Sequence, residues 1–321
     1  MAAISSKAWR FPDSTTAIVV LVMAALPVLV PTTLASQVAI FAIATLSVTL
    51  LLGSVGLLSF GQGLYLGVGA YLAGILLRDV GLGLLPTLIL ATLAGTLLAG
   101  LLGTLIVRRQ GVYFVMLTLA FAQMGYFAML SMKNVTGGEN GLTGLPRNLS
   151  LAGLPVTSPI SFYLLAAGAF LLAFLAVQRI NASPFGSVLT AIRENEGRSE
   201  AMGYDVRRYK VAAVAVAGGI AGLAGALHAA FLGFVPPNDI ELEISQRILV
   251  MAIIGGVGSP AGALVGSIFY TLASEALSEL WARWMALISL ILIAIVLYLP
   301  GGLWSIGRRF AGVFGGRPAD A

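Results

Sequence analysis

Long runs of this sequence carry no charge: no Asp, Glu, Lys or Arg occurs in 14–77, 80–107, 148–178, 211–238, 248–274 or 284–307. A helix needs about 20 apolar residues to cross a bilayer's hydrocarbon core, so each run holds one or two spans. Only 10% of the 321 residues are charged, against about 25% in soluble domains. Such a chain cannot clothe a water-facing surface. The sequence specifies an all-α fold, a polytopic transmembrane helical bundle, as a single domain over 1–321.

Several chemistries are excluded. With no cysteine there are no disulfides, thiol nucleophiles or thiolate metal sites. The one histidine, His228, cannot build a metal cluster by itself. Nucleic acid is not an expected partner despite the net charge of +5, because in a membrane protein the placement of charge matters more than its sum. No Gly-x-x-x-x-Gly-Lys-Ser/Thr loop is present, so the chain binds no ATP by that device and any ATP and Mg2+ must belong to a partner. No paired carboxylates lie at membrane depth, which argues against an enzyme. The first apolar stretch reads as a span rather than a cleaved signal, since further spans follow it.

Helical spans are expected near 16–33, 35–53, 62–78, 84–107, 111–130, 160–178, 211–234 and 284–300. The stretch 248–274 is broken by Gly255-Gly256-Val257-Gly258-Ser259-Pro260, which predicts two half-helices or a short pair. Lipid tolerates such a break only where protein or water satisfies the freed backbone. Counting it as two crossings puts both termini in the cytoplasm, with Lys7, Arg10, Arg108, Arg109, the basic residues of 179–210, Arg308, Arg309 and Arg317 inside. Arg78, Lys133, Arg147, Arg247 and Arg283 are then outside. Glu275, Glu279 and Arg283 recur every four residues and predict a short interfacial helix. Trp281, Trp284, Tyr298 and Trp304 bracket the last span as interfacial anchors.

Glycine clusters inside the spans, at Gly95 and Gly100, Gly218-Gly219, and Gly222 and Gly225, where small residues a turn apart let helices approach closely. Between spans, 179–210 is the most informative segment. Ser183 and Pro184 suit a helix start. Phe185, Leu189 and Ile192 fall on one face, with Arg193, Glu194 and Glu196 toward the polar side. After a turn at Gly197, a second short helix over Ser199–Met202 ends at Gly203. The segment reads either as a solvated connector or as a docking element for a cytoplasmic motor.

Whole motifs carry a resemblance. Gly56-Leu-Leu-Ser-Phe-Gly-Gln-Gly-Leu-Tyr-Leu-Gly-Val-Gly-Ala-Tyr71, Arg108-Arg-Gln-Gly-Val-Tyr-Phe-Val-Met-Leu-Thr-Leu-Ala-Phe-Ala-Gln123 and Thr136-Gly-Gly-Glu-Asn-Gly-Leu-Thr-Gly144 are joined by Ser183-Pro-Phe-Gly186, Ala191-Ile-Arg-Glu-Asn-Glu196, Gly255-Gly-Val-Gly258 and Leu299-Pro-Gly-Gly302. From about residue 15 onward the chain resembles the LivM-type permeases of the branched-chain (hydrophobic) amino acid ABC transporters. The resemblance implies a bacterial inner-membrane importer subunit paired with a homologous LivH-type permease, two LivG/LivF-type ATPases and a periplasmic amino acid-binding protein. It implies a coupling region with Phe185, Gly186, Ile192, Arg193, Glu194, Glu196, Glu200, Ala201 and Gly203. Met202 replaces the signature's usual second alanine, and Ser187 stands where relatives often carry a basic residue. Relatives carry leucine, isoleucine, valine and other hydrophobic amino acids, or urea and short amides.

Polar residues within spans are candidates for the translocation path: Ser59, Gln62, Tyr71, Thr118, Gln123 and His228. Ser59 to Gly63 reads as an unwound start of a span, either lining a passage or forming a helix junction in which Gln62 satisfies a neighbouring carbonyl. His228 reads as a neutral hydrogen-bonded imidazole or a proton-handling group, and the absence of any acid within 211–238 favours the first. The loop 137–144 reads as a gate, a receiving surface for a binding protein, or an ordinary surface loop. An ion-coupled carrier is the rival transport class. It calls for an intramembrane acid, and every Asp and Glu lies outside the expected spans.

Overall fold

The computed structural model describes residues 14–109, 111–146, 149–151, 154–156, 158–280, 283–299 and 301–305. Lys7, Arg10, Arg147, Trp281, Arg308, Arg309 and Arg317, used above for orientation and anchoring, lie outside the described residues. Thirteen α-helices follow in order: α1 Ser14–Leu29, α2 Thr32–Leu50, α3 Gln62–Ile75, α4 Leu84–Ile106, α5 Val112–Ser131, α6 Lys133–Thr136, α7 Pro159–Ala182, α8 Pro184–Glu194, α9 Glu196–Ala201, α10 Val206–Leu232, α11 Leu242–Gly255, α12 Pro260–Leu280 and α13 Trp284–Tyr298. Among the described residues six are long and apolar enough to cross a membrane, and α11 and α12 pass the same test only together, as a pair bent by 113° at its break. The sequence did not announce one small element. Strands β1 (Leu149–Leu151) and β2 (Leu154–Val156) form an antiparallel hairpin.

Proline and glycine divide these helices. Pro31 cannot continue α1 and opens α2 instead. Helices α2 and α3 each end in a π-helical turn, Leu51–Val55 and Leu76–Val80, closed by Gly56 and Gly81 with φ of 76° and 67°. Of the α2 span 89% is buried, against 17% of the α5 span, so α2 is the axis of the bundle and α5 its wall. On α4 the exposed row Leu93, Leu97, Leu101 and Leu105 repeats every four residues and suits lipid.

The glycine clusters do what close approach requires. A Cβ on Gly95 would collide with the Gly218 carbonyl, and one on Gly225 with the Leu66 carbonyl. Backbone contact thus joins α10 to α4 on one side and to α3 on the other. The Gly255–Pro260 break is equally tight: Gly255 faces the Gly262 carbonyl, and Gly256 faces the Gly301 carbonyl. The expected pair of half-helices is present.

Three expectations change. First, the polar connector is shorter than 179–210, because α7 runs to Ala182 and α10 begins at Val206. Helices do not stop where lipid stops, and the Asp205 carboxylate caps α10 by accepting from the Arg208 N–H. Second, Glu275 and Glu279 belong to the last turns of α12, while Arg283 is the N-cap of α13, so no separate interfacial helix exists among these residues. Third, residues 235–245 are not an external loop. Val235 packs at Gly74, Ile240 at Gly67, and Ser245 at Gly63, so this segment descends beside α3 and α11 starts within the bundle. Arg247 follows it inward and stacks over the Phe41 ring, 5.9 Å from its centroid.

Candidate transport path and coupling elbow

The chain has two polar regions, an elbow at one end of the bundle and a buried core of hydroxyls within it. At one end α8 and α9 fold into an elbow between α7 and α10. Ser183 caps α8, accepting from the Gly186 N–H at 3.3 Å, with Pro184 in the first helical position. The turn comes at Asn195, two residues earlier than a reading centred on Gly197 gives, since the Asn195 side chain accepts from the Arg198 N–H at 2.9 Å and starts α9 at Glu196. Gly203, with φ of 89°, ends it as expected.

The predicted coupling residues divide into two sets. Ile192 is buried with Leu189, and Phe185 stacks on Tyr209 with ring centroids 5.5 Å apart. Gly186 admits the end of α7, where a side chain would strike the Ile180 and Asn181 carbonyls. Arg193 was assigned to the polar face, yet its guanidinium donates to the Gly53 carbonyl at the end of α2. Glu196 pairs with Lys210, whose side chain is only 3% exposed. Beside them, Ser54 donates to Asn181 at 2.8 Å. Glu194, Glu200, Ala201 and Gly203 stay exposed, along with Arg198, Met202 and Tyr204.

Among the expected path residues, three converge. In the break before α3 the Phe60 N–H donates to Thr118 Oγ1 at 3.1 Å, and the Gly61 N–H donates to Ser59 Oγ at 3.1 Å. Gln62 is fully buried. Its Oε1 accepts from the Ser47 hydroxyl at 3.0 Å, not from the donor-to-carbonyl contact expected, and its Nε2 has no partner among the described residues. The Gly63 N–H donates to Ser245 Oγ at 2.8 Å, and Thr45 shares a 3.1 Å hydrogen bond with Ser267. These hydroxyls form a polar core where α2, α3, α11 and α12 meet. Gln123 is half-buried on α5, apart from this group.

His228 has an acidic partner after all. Asp239, one residue beyond the acid-free stretch 211–238, is carried inward by the descending segment, and its Oδ2 lies 3.0 Å from His228 Nδ1. Both are nearly buried. Sequence distance hid the pair, because the helix ends and the 3-10 turn Pro237–Ile240 folds back. An acid thus does enter the bundle, contrary to the expectation that every Asp and Glu lies outside it. Tyr71 is buried beside Asp239. The loop 137–144 is pinned rather than loose: the Leu142 N–H donates to the Val235 carbonyl at 3.0 Å and Val235 returns the bond at 2.9 Å.

A family model described as branched-chain amino acid transport system / permease component matches residues 30–299. The chain belongs to this permease family. It is a membrane permease subunit of an ABC-type importer, and the family's role is transport rather than catalysis. Similar proteins include the high-affinity branched-chain amino acid transport system permease protein LivM of Escherichia coli strain K12, 27% identical over 86% of this chain and 70% of its own length. The LivM permease of Salmonella typhimurium strain LT2 is 26% identical over the same shares. The autoinducer 2 import system permease protein LsrC of Klebsiella pneumoniae is 30% identical over 52% of this chain and 50% of its own. No solved structure matches the chain. Permeases of this family work with ATPase and binding-protein subunits. Among the described residues, no group of three or more His, Asp or Glu is placed to hold a metal ion.

One feature the sequence reading passed over adjoins this core. A cavity lies between α2, α11, α12 and α13, with Gln37, Arg247, Thr271, Glu275 and Trp284 in its lining. Its signal was available in the spacing of Ser267, Thr271, Ser274, Glu275 and Ser278, a polar stripe along one face of a helix.

Proposed function

We propose that this permease moves branched-chain or other hydrophobic amino acids into the cytoplasm and is driven through the elbow by separate ATPases. The observation that carries this reading is the two-sidedness of the elbow. Its inner side is fastened to the bundle by Arg193 to Gly53, Glu196 to Lys210 and Phe185 to Tyr209. Its outer side presents Glu194, Arg198, Glu200, Met202 and Tyr204 unburied. Mixed charge around an apolar tip gives register and partner discrimination more than raw affinity. A motor holding that outer side would pull on the end of α2, and so on the break at Ser59–Gly63 just beyond it.

The basic residues around the elbow favour its cytoplasmic position, with both termini on the same side. The partners in this reading are a homologous LivH-type permease, two LivG/LivF-type ATPases that bind ATP and Mg2+, and a periplasmic amino acid-binding protein. Ser59, Gln62 and Thr118 border the path at its narrow level, with Tyr71 and His228 farther toward the outer end. Reconstituting the complete assembly and measuring ATP hydrolysis with a panel of amino acids, urea and short amides tests the reading. Stimulation by leucine, isoleucine or valine is expected. Stimulation by urea or amides alone would reassign the substrate, and none by any compound would remove the importer reading.

A further inference from the structure

We propose that the cavity between α2, α11, α12 and α13 is a binding site within this chain for the zwitterion of a free α-amino acid. Arg247 would hold the carboxylate, Glu275 the ammonium group, and Phe41, Met251 and Trp284 the side chain. The proposal deepens the importer reading and rests on it for the class of ligand. The site lies away from the elbow, on the side where Gln37 near the start of α2 meets Ser278 near the end of α12.

Three observations carry it. The first is an unused hydroxyl: Thr271 is 5% exposed, and its Oγ1 has no hydrogen-bond partner among the described residues. Hydroxyls in these helices normally donate back to the preceding turn, as Ser267 does to Ala263 and Thr45 to Phe41. A buried hydroxyl left unpaired is unfavourable, and a ligand atom that bonds it removes that cost. The second is a pair of opposite charges at one cavity. The ion pairs among the described residues are Arg78–Asp79, Arg208–Asp205, Lys210–Glu196 and His228–Asp239. Arg247, beside Tyr270, and the exposed Glu275 line the same cavity and do not pair with each other. The third is size, about 170 Å³, which suits one small molecule and is below the range of about 300–1,000 Å³ for drug-sized ligands.

Charge selects among small ligands. A simple anion would meet Arg247 but be repelled by Glu275, and a cation the reverse. A dipolar molecule satisfies both, and the Thr271 hydroxyl can donate to its carboxylate. The guanidinium is already positioned over Phe41, which lowers the cost of ordering it on binding.

The test is equilibrium binding to the full assembly in nanodiscs, without binding protein or nucleotide. The probes are tritiated L-leucine, L-valine, L-phenylalanine and L-glutamate. Saturable binding of at least one is expected. Arg247→Gln and Glu275→Gln should each weaken it about tenfold or more, and Thr271→Val about threefold. Arg247→Lys should recover part of the loss. Co-purification of all subunits checks that each variant assembles. Should a variant fail to assemble, competition on the unaltered protein still decides. With leucine as the bound probe, leucinamide lacks the carboxylate and 4-methylpentanoate lacks the ammonium group, so both should compete at least tenfold more weakly than leucine itself. Absence of saturable binding, full affinity in both charge variants, or equal competition by either analogue would overturn the site. Amino acid-stimulated ATP hydrolysis with binding protein present is scored separately. Stimulation without this binding defeats the site alone, whereas no stimulation defeats the importer reading.

Discussion

The elbow and the polar core are the two polar places in an otherwise largely apolar molecule, and they are assembled in different ways. The elbow shapes itself over short stretches of chain, Ser183 to Gly186, Asn195 to Arg198 and Glu196 to Lys210, and only its anchors to the end of α2, at Gly53 and Ser54, are long-range. The core joins residues far apart in sequence, such as Thr45 with Ser267, Gly63 with Ser245, and Phe41 with Arg247. An elbow of this kind can be specified by caps and periodicity. A core of this kind exists only once the helices have packed, so its polar groups depend on register across the bundle.

That contrast can be broken by substitution. The largest loss of stability is expected from Glu196→Ala, which strands the Lys210 ammonium in a nearly closed site. Breaking a buried pair from one side costs about 3–5 kcal/mol, toward the lower end here because Glu196 is 24% exposed. Lys210→Met should cost less, since the remaining carboxylate can reach water. Thermal unfolding of the two variants side by side checks the order, and equal losses would mean that Lys210 is not held as the structure has it. Next comes Gly225→Ala, which forces α10 away from the Leu66 carbonyl. Overpacking of this kind costs about 1–3 kcal/mol, read as a lower unfolding midpoint with the elbow unchanged. Asp239→Asn follows, at about 1–2 kcal/mol. His228 keeps a hydrogen-bonding neighbour there, so Asp239→Ala should be the more damaging of the two. The smallest change in stability belongs to Gly203→Trp. No other group lies near this glycine, and only its left-handed backbone, worth about 1 kcal/mol, opposes a side chain. Insertion should persist while ligand-stimulated ATP hydrolysis is lost. Undiminished stimulation would remove Gly203 from the docking face.

The same contrast explains what could be read in advance. Charge-free runs located the long spans, and Ser183, Pro184 and Gly203 fixed the elbow, because solvation and capping act within a few residues. Gly197 misled by two positions since Asn195 had already capped the helix. The descent of 235–245 left no local mark: its charges, Asp239, Glu241 and Glu243, look like those of an external loop, and only Gly63, Gly67 and Gly74 on α3 make room for it. His228 met its acid for the same reason. Thr271 and Glu275 were legible as a stripe, yet a stripe alone does not tell which neighbour it faces.

Helix α10 runs unbroken for 27 residues, about 40 Å at 1.5 Å per residue. Near its foot stands Lys210, and near its head His228, held by Asp239 beside Phe41. Glycine contacts clamp it along its middle, leaving no joint at which motion could dissipate. Phe41, against the His228 ring, also lines the cavity, so the head of α10 and the cavity share one wall.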